Sequence, residues 1–244
     1  MQTICSVRPG PLDLPFVGRE KEVAQLEQLH AQRRHVLIIG PAGVGKTALI
    51  RHVATRLPLL VCPESARLAA IFDALEQQLS LTPPISKLVQ RKNRLLTVLA
   101  RAGQTVVFDG VGWTTPRLSS FLECASRCAP VWIATRSEHL WDIGHFWPLL
   151  ARFERVEVQP FRLHETQALV ALVIRRGLVP PETARIVEWL QCRSAGNPLA
   201  LCQLLQELAT GRYDPSSPLA LRRLELDRRI HEVFPSKGEN ALNR

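Results

Sequence analysis

Eight residues constrain this chain more than any others. They are Gly-Pro-Ala-Gly-Val-Gly-Lys-Thr, residues 40–47, set between the apolar run HVLIIG (35–40) and the helical stretch KTALIRHVATRL (46–57). The segment fills every fixed position of G-x-x-x-x-G-K-[ST], and it sits between strand and helix as that pattern requires. The glycines let the backbone bend so that successive N–H groups point at phosphate oxygens, and the helix after them presents its positive end to the same oxygens. The backbone of Gly40, Pro41, Ala42, Gly43, Val44 and Gly45, with Ala48 in the first helical turn, is expected to form this cradle. Lys46 is expected to reach the terminal phosphates, and the Thr47 hydroxyl to hold Mg²⁺.

A second apolar run, VVFD, ends in Asp109, a carboxylate delivered by a strand downstream of the phosphate loop. Such a group is expected to bind Mg²⁺ directly or through water. ATP-hydrolysing enzymes often carry a second acid next to it; here the neighbour is Gly110. A third run, VWIATRS, ends in Thr135 and Arg136. Ligands of parallel sheets sit beyond the carboxyl ends of the strands, so Arg136 is expected to touch a γ-phosphate and report its presence.

Strands expected at 35–40, 59–62, 106–109, 129–137 and 153–158 alternate with helical segments. This pattern predicts an α/β fold: a P-loop NTPase with a parallel five-stranded sheet sandwiched by helices. After Pro160 three helical stretches succeed one another without a strand, which predicts a small all-α lid subdomain. The expected organisation is an arm over 1–15, an ATPase α/β domain over 16–159, the lid over 160–212, and a basic helix and tail over 213–244. The loop HLWDIGHFWPLL (139–150) carries Trp141, Ile143, Phe146 and Trp147, which are expected mainly to cover the core.

Composition sets the remaining bounds. The hydrophobic share of 46% supplies a sizeable core, and no apolar run approaches a membrane span. The N-terminus lacks the basic start and apolar stretch of a signal peptide. Six cysteines without metal-ligand spacing are read as reduced, mostly buried thiols of a cytoplasmic protein. The net charge of +9 favours polyanions and keeps DNA as a candidate partner.

Taken in order, FVGRE (16–20), GPAGVGKT (40–47), VVFDG (106–110), IATRS (133–137) and GNPLAL (196–201) resemble the signal-transduction ATPases with numerous domains. They equally resemble relatives among the AAA+ proteins, including archaeal-type and origin-recognition-like ATPases. The resemblance runs from residue 16 to about 210. It implies that Val17, Gly18 and Arg19 line an adenine pocket, that Thr135 and Arg136 form a first sensor, and that Pro198 of the lid lies near the base. Two departures accompany it: the missing second acid at Gly110, and only about thirty residues beyond the lid. The expectation is an ATP- and Mg²⁺-binding molecular switch or assembly factor with slow hydrolysis, acting through a partner protein or self-assembly. A DNA-associated ATPase that targets or loads partners, aided by Arg222, Arg223, Arg228 and Arg229, is the alternative. A small-molecule kinase on the same phosphate loop ranks third.

Overall fold

Short runs of β-branched and other apolar residues, each four or five residues long, build four strands of the sheet, and the mostly polar run Glu154–Glu157 builds the fifth. The computed structural model describes residues 16–63, 67–82 and 87–233, with side chains described as far as Ile230. The N-terminal arm, Cys5, the Pro83–Pro84 break and the tail beyond Val233 lie outside the described residues. The strands are β1 (Val36–Ile39), β2 (Leu59–Cys62), β3 (Thr105–Phe108), β4 (Val131–Thr135) and β5 (Glu154–Glu157). All pair in parallel, in the order β2-β3-β4-β1-β5.

Burial tracks that order. The inner strands β3 and β4 are buried at every position, as strands covered on both faces must be. The edge strand β5 buries only Val156 among its four residues. The register aligns the strand ends: Ile39 of β1 lies opposite Thr135 of β4, and Phe108 of β3 lies opposite Ile133. The carboxyl ends of β1, β3 and β4 therefore emerge side by side.

The helices of this layer are α1 (Glu20–Ala31), α2 (Lys46–Ala54), α3 (Leu68–Gln78), α4 (Leu88–Ala102) and α5 (Pro116–Cys128). Helix α5 starts where Thr115 caps it: its hydroxyl accepts the Leu118 N–H, and Pro116 fills the first helical position. Phe72 of α3 and Phe121 of α5 meet edge-to-face at 4.9 Å, and Phe108 of β3 adds a third ring 6.2 Å from Phe121. Each such ring, fully buried, contributes about 1.5–3 kcal/mol. Arg91 ties α4 to α3 through Glu76 and Asp73 and lies over the Phe72 ring.

The stretch after β4 is more ordered than a loop. It forms a single turn, α6 (Leu140–Ile143), and a 3-10 segment Trp147–Arg152. Its aromatic and apolar residues divide in two. Ile143 and Phe146 are fully buried, whereas Trp141 is 82% exposed and Trp147 46%. Half of the expected core cover is thus surface, because only one side of so short a helix reaches the sheet. The cysteine reading also needs correction: of the described cysteines only Cys62 is buried, and Cys192 is exposed.

A second unit has its own core. It is built from α7 (Leu163–Arg175), a 3-10 segment Pro181–Ile186, α8 (Val187–Ser194), α9 (Pro198–Ala209) and α10 (Pro218–Val233). Pro180 and Pro181 hold the second expected helix in a 3-10 turn until Val187. Leu190, Leu201, Leu205 and Leu208 are fully buried within it. Among the described residues the chain divides between Arg19–Gln159 and a helical unit that takes residues 160–233 together with residues 16–18. Two assignments differ from the expected organisation. Val17 packs on the helical core, and Tyr213, Leu221 and Leu224 complete that core, so α10 is part of the helical unit and not a separate tail.

Candidate nucleotide site

The glycine-rich turn leaves β1 and enters α2 at Lys46. Gly40 is required by close approach: a Cβ there would stand 2.5 Å from the Val158 carbonyl oxygen and 2.9 Å from the Val44 side chain. The Val158 N–H donates to the Ile39 carbonyl at 2.7 Å, which fixes that approach. The Lys46 ammonium bends back over the turn and donates to the carbonyls of Gly40 at 2.6 Å and Pro41 at 3.0 Å.

Opposite the lysine, the Thr47 hydroxyl donates to Asp109 Oδ2 at 2.7 Å. Asp109 is buried just beyond β3, and its N–H donates to the Cys62 carbonyl at 3.0 Å. Two oxygen donors so placed, on a threonine and a carboxylate, fit Mg²⁺, which takes one or two protein oxygens and completes its shell with phosphates and water. Among the described residues no cluster of three or more histidines, cysteines and acids competes as a metal site.

The local electrostatics favour an anion. Burial pushes the Lys46 ammonium below the ordinary lysine range, the Asp109 carboxylate raises it, and the Arg136 guanidinium lowers it again. Arg136 is exposed just past β4, whose position between β1 and β3 brings it to the phosphate loop. Thr135 is buried beside it and donates to the Ser137 carbonyl at 3.0 Å. Two cations and one carboxylate thus converge at one end of the sheet.

Gly110 has a φ of +68°, and a Cβ built on it meets nothing within 4 Å. Space exists beside Asp109 where a second acid would stand. The nearest acid past β4 in sequence, Glu138, instead accepts from Arg155 of β5 at 2.7 Å. Beyond Gly110 the chain is bolted to β4 and to the α6 segment. Val111 N–H donates to the Ala134 carbonyl at 2.9 Å, and the buried Thr114 hydroxyl donates to the Ile143 carbonyl while accepting the Phe146 N–H.

Arg19, expected beside a base, also reaches the phosphate loop. It is 5% exposed, and its guanidinium donates to Glu22 at 3.1 Å and to the Val44 carbonyl of the phosphate loop at 3.2 Å. Val17 and Pro198 belong to the helical unit, where Pro198 opens α9 behind the Asn197 cap. The structure therefore brings together Gly40 to Ala48, Asp109, Thr135, Arg136 and Arg19 within the α/β unit. The tie from Arg19 to the phosphate loop is a site feature that sequence reasoning missed.

A parallel sheet in this order, with a glycine-rich loop after β1 and a carboxylate after β3, defines a P-loop nucleoside-triphosphatase fold. Comparison with known proteins carries the assignment further. The AAA ATPase domain family matches residues 15–141, and the chain belongs to that family of AAA+ P-loop ATPases. Among solved structures, the Orc1 protein of Aeropyrum pernix, determined in complex with DNA, is similar at TM-score 0.64 and 18% identity. That match covers 94% of this chain and 70% of the other. A Walker-type ATPase of Pyrococcus abyssi is similar at TM-score 0.57 and 16% identity, covering 89% and 77%. Among curated proteins, a cytidylate kinase of Desulforamulus reducens is 30% identical over 105 residues, which are 41% of this chain and 47% of the kinase. The chain thus matches about half the length of that relative. No described helix is long and apolar enough to cross a membrane.

Proposed function

We propose that the protein is a MgATP-dependent switch that binds nucleotide firmly and turns it over slowly. The observation that carries this reading is the Thr47–Asp109 pair at 2.7 Å beside a glycine where a water-orienting acid would stand. Lys46 and Arg136 would neutralise the terminal phosphates, and the backbone N–H groups of residues 40–47 would hold them. Thr47 and Asp109 would hold Mg²⁺, which bridges phosphate oxygens and offsets the charge that develops during phosphoryl transfer. No carboxylate comes directly after Asp109 to orient water. General-base assistance is worth about 10²–10⁴ in rate, so a typical turnover of ~10 s⁻¹ falls to about 10⁻³–10⁻¹ s⁻¹.

The test is MgATP binding by calorimetry together with phosphate release by the purified chain. Binding with turnover below about 0.1 s⁻¹ supports the reading, and Asp109→Ala should remove the Mg²⁺-dependent part of the affinity. Turnover of about ten per second or more by the chain alone would overturn it.

Two other readings have specific support. The likeness to a cytidylate kinase favours phosphoryl transfer to a nucleotide acceptor; ATP consumption stimulated by CMP, with CDP formed, would establish it. The net charge of +9 and the likeness to an Orc1 protein solved with DNA favour a DNA-associated ATPase. That role requires duplex binding whose affinity falls steeply with salt. Within α10, however, Arg229 pairs with Glu225 at 3.0 Å and Arg223 approaches Asp227 at 3.9 Å, which draws charge away from phosphate contacts.

A further inference from the structure

Helix α10 has two apolar faces, and only one of them packs on other described residues. Leu221 and Leu224 are buried in the helical core. On the opposite side Leu219 is 78% exposed, Leu226 58% and Ile230 47%. Their spacings of seven and four residues put them in one line along an α-helix, at 100° per residue. With Leu219 and Leu226 at d positions of a heptad, Ile230 falls at a and Arg223 at the preceding a.

The charges beside this line are ordered. Arg222 and Arg229 occupy g positions on one side, and Asp227 occupies e on the other. In a parallel pair of identical helices, g of one chain faces the next e of its neighbour, which sets Arg222 against Asp227 of the second copy. In an antiparallel pair, g faces g and arginine meets arginine; a parallel pair sets the two Arg223 side chains together at a, which limits its strength. Asp227 already accepts from the Tyr213 hydroxyl at 2.8 Å, which holds its carboxylate on the flank of the line. A docked DNA phosphate backbone would gain nothing from the three exposed apolar side chains and would be repelled by Asp227.

We propose that the outer face of α10 is a self-association surface, on which a second copy of this chain docks its own α10 in parallel. The helix is already formed by its packing on the helical core, so pairing does not have to supply the cost of ordering it. The contact is short: Leu219 to Ile230 spans about 17 Å at 1.5 Å per residue. The association is therefore weak, with a dissociation constant of about 10–100 µM, and responds to how many copies are held near one another. This inference does not rest on nucleotide binding, since every residue it uses lies in the helical unit.

Sedimentation of the full chain from about 5 to 500 µM tests it. The expected result is a reversible monomer–dimer equilibrium. Leu226→Asp should shift it at least tenfold toward monomer without changing MgATP affinity or the far-ultraviolet circular dichroism. Arg222→Glu should weaken it less. Orientation is read separately in a Cys5→Ser, Cys192→Ser background, which removes the thiol exposed among the described residues and the one outside them: Leu219→Cys and Leu226→Cys, made singly, should each form a disulfide-linked dimer on mild oxidation. A chain that stays monomeric across the range overturns the proposal, as does a dimer indifferent to Leu226→Asp. Cross-linking through only one of the two positions overturns the parallel arrangement. Association that requires duplex DNA and is abolished by salt gives the face to nucleic acid and overturns the proposal as well.

Discussion

At the scale of single residues, the phosphate loop is held from three sides, and each hold has a measurable consequence. Lys46→Ala removes the one ammonium over the turn, and ATP binding should fall below detection while the fold persists. Gly40→Ala forces a Cβ to within 2.5 Å of a backbone oxygen that cannot move without pulling β5 from β1; it should destabilise the protein by about 1–3 kcal/mol in urea unfolding and abolish ATP binding. Arg19 is the third hold. Its bond to the Val44 carbonyl is charge-assisted and buried, and such a bond is worth about 1.5–3 kcal/mol. Arg19→Ala should therefore lower MgATP affinity about 10- to 100-fold by loosening the loop. The same loss should appear with ATP, GTP and inorganic triphosphate, because the bond removed is to the loop backbone; a loss confined to ATP would place Arg19 at the base. The motif announced that Arg19 matters but not how. Its left-handed backbone, φ 71°, and the turn of its side chain onto Val44 are products of chain geometry that no residue pattern displays.

At the scale of elements, β1 and β4 are tied at their amino ends by a histidine. The Val131 N–H donates to His35 Nδ1 at 3.1 Å, which requires that nitrogen to be unprotonated. Burial, then the charges of Arg34 and Arg152, lower the His35 pKa below the ordinary imidazole value; burial and Arg33 do the same for His30. Between the lowered folded value and the unfolded value near 6.5 the unfolded chain binds more protons, so stability rises with pH across that window and is complete above it. The urea midpoint should fall as pH is lowered from about 7.5 to 5.5, and His30→Gln with His35→Gln should flatten that fall. The strands themselves were legible because central parallel strands must be apolar on both faces, and runs such as VLII and VWIAT leave little choice. Helix α6 was not legible. Four residues are too few to display a helical period, and its position depends on Thr114, which lies 29 residues before Ile143 in the chain.

At the scale of the whole molecule, two hydrophobic cores predict two responses. Leu224→Ala empties a site in the helical core and should cost about 2–5 kcal/mol there, and Phe121→Ala should cost about 3–5 kcal/mol in the α/β core. Calorimetry should show each substitution acting mainly on its own transition. The change from alternating strands to consecutive helices marked Pro160 in the sequence, but the transfer of Val17 to the helical core could not be read there, since it joins segments far apart along the chain. That transfer governs the order of events during synthesis. A chain emerging from the ribosome at about 5–20 residues per second presents Val17 many seconds before α7 to α10 exist to receive it. The α/β unit between them can meanwhile complete its sheet, because β5 precedes Pro160. The helical unit can close only once α7 to α10 have emerged, gathering Val17 across the intervening α/β unit. Chains truncated by premature termination near Pro160 would then carry a formed phosphate loop, with Val17 still waiting for the core it packs on.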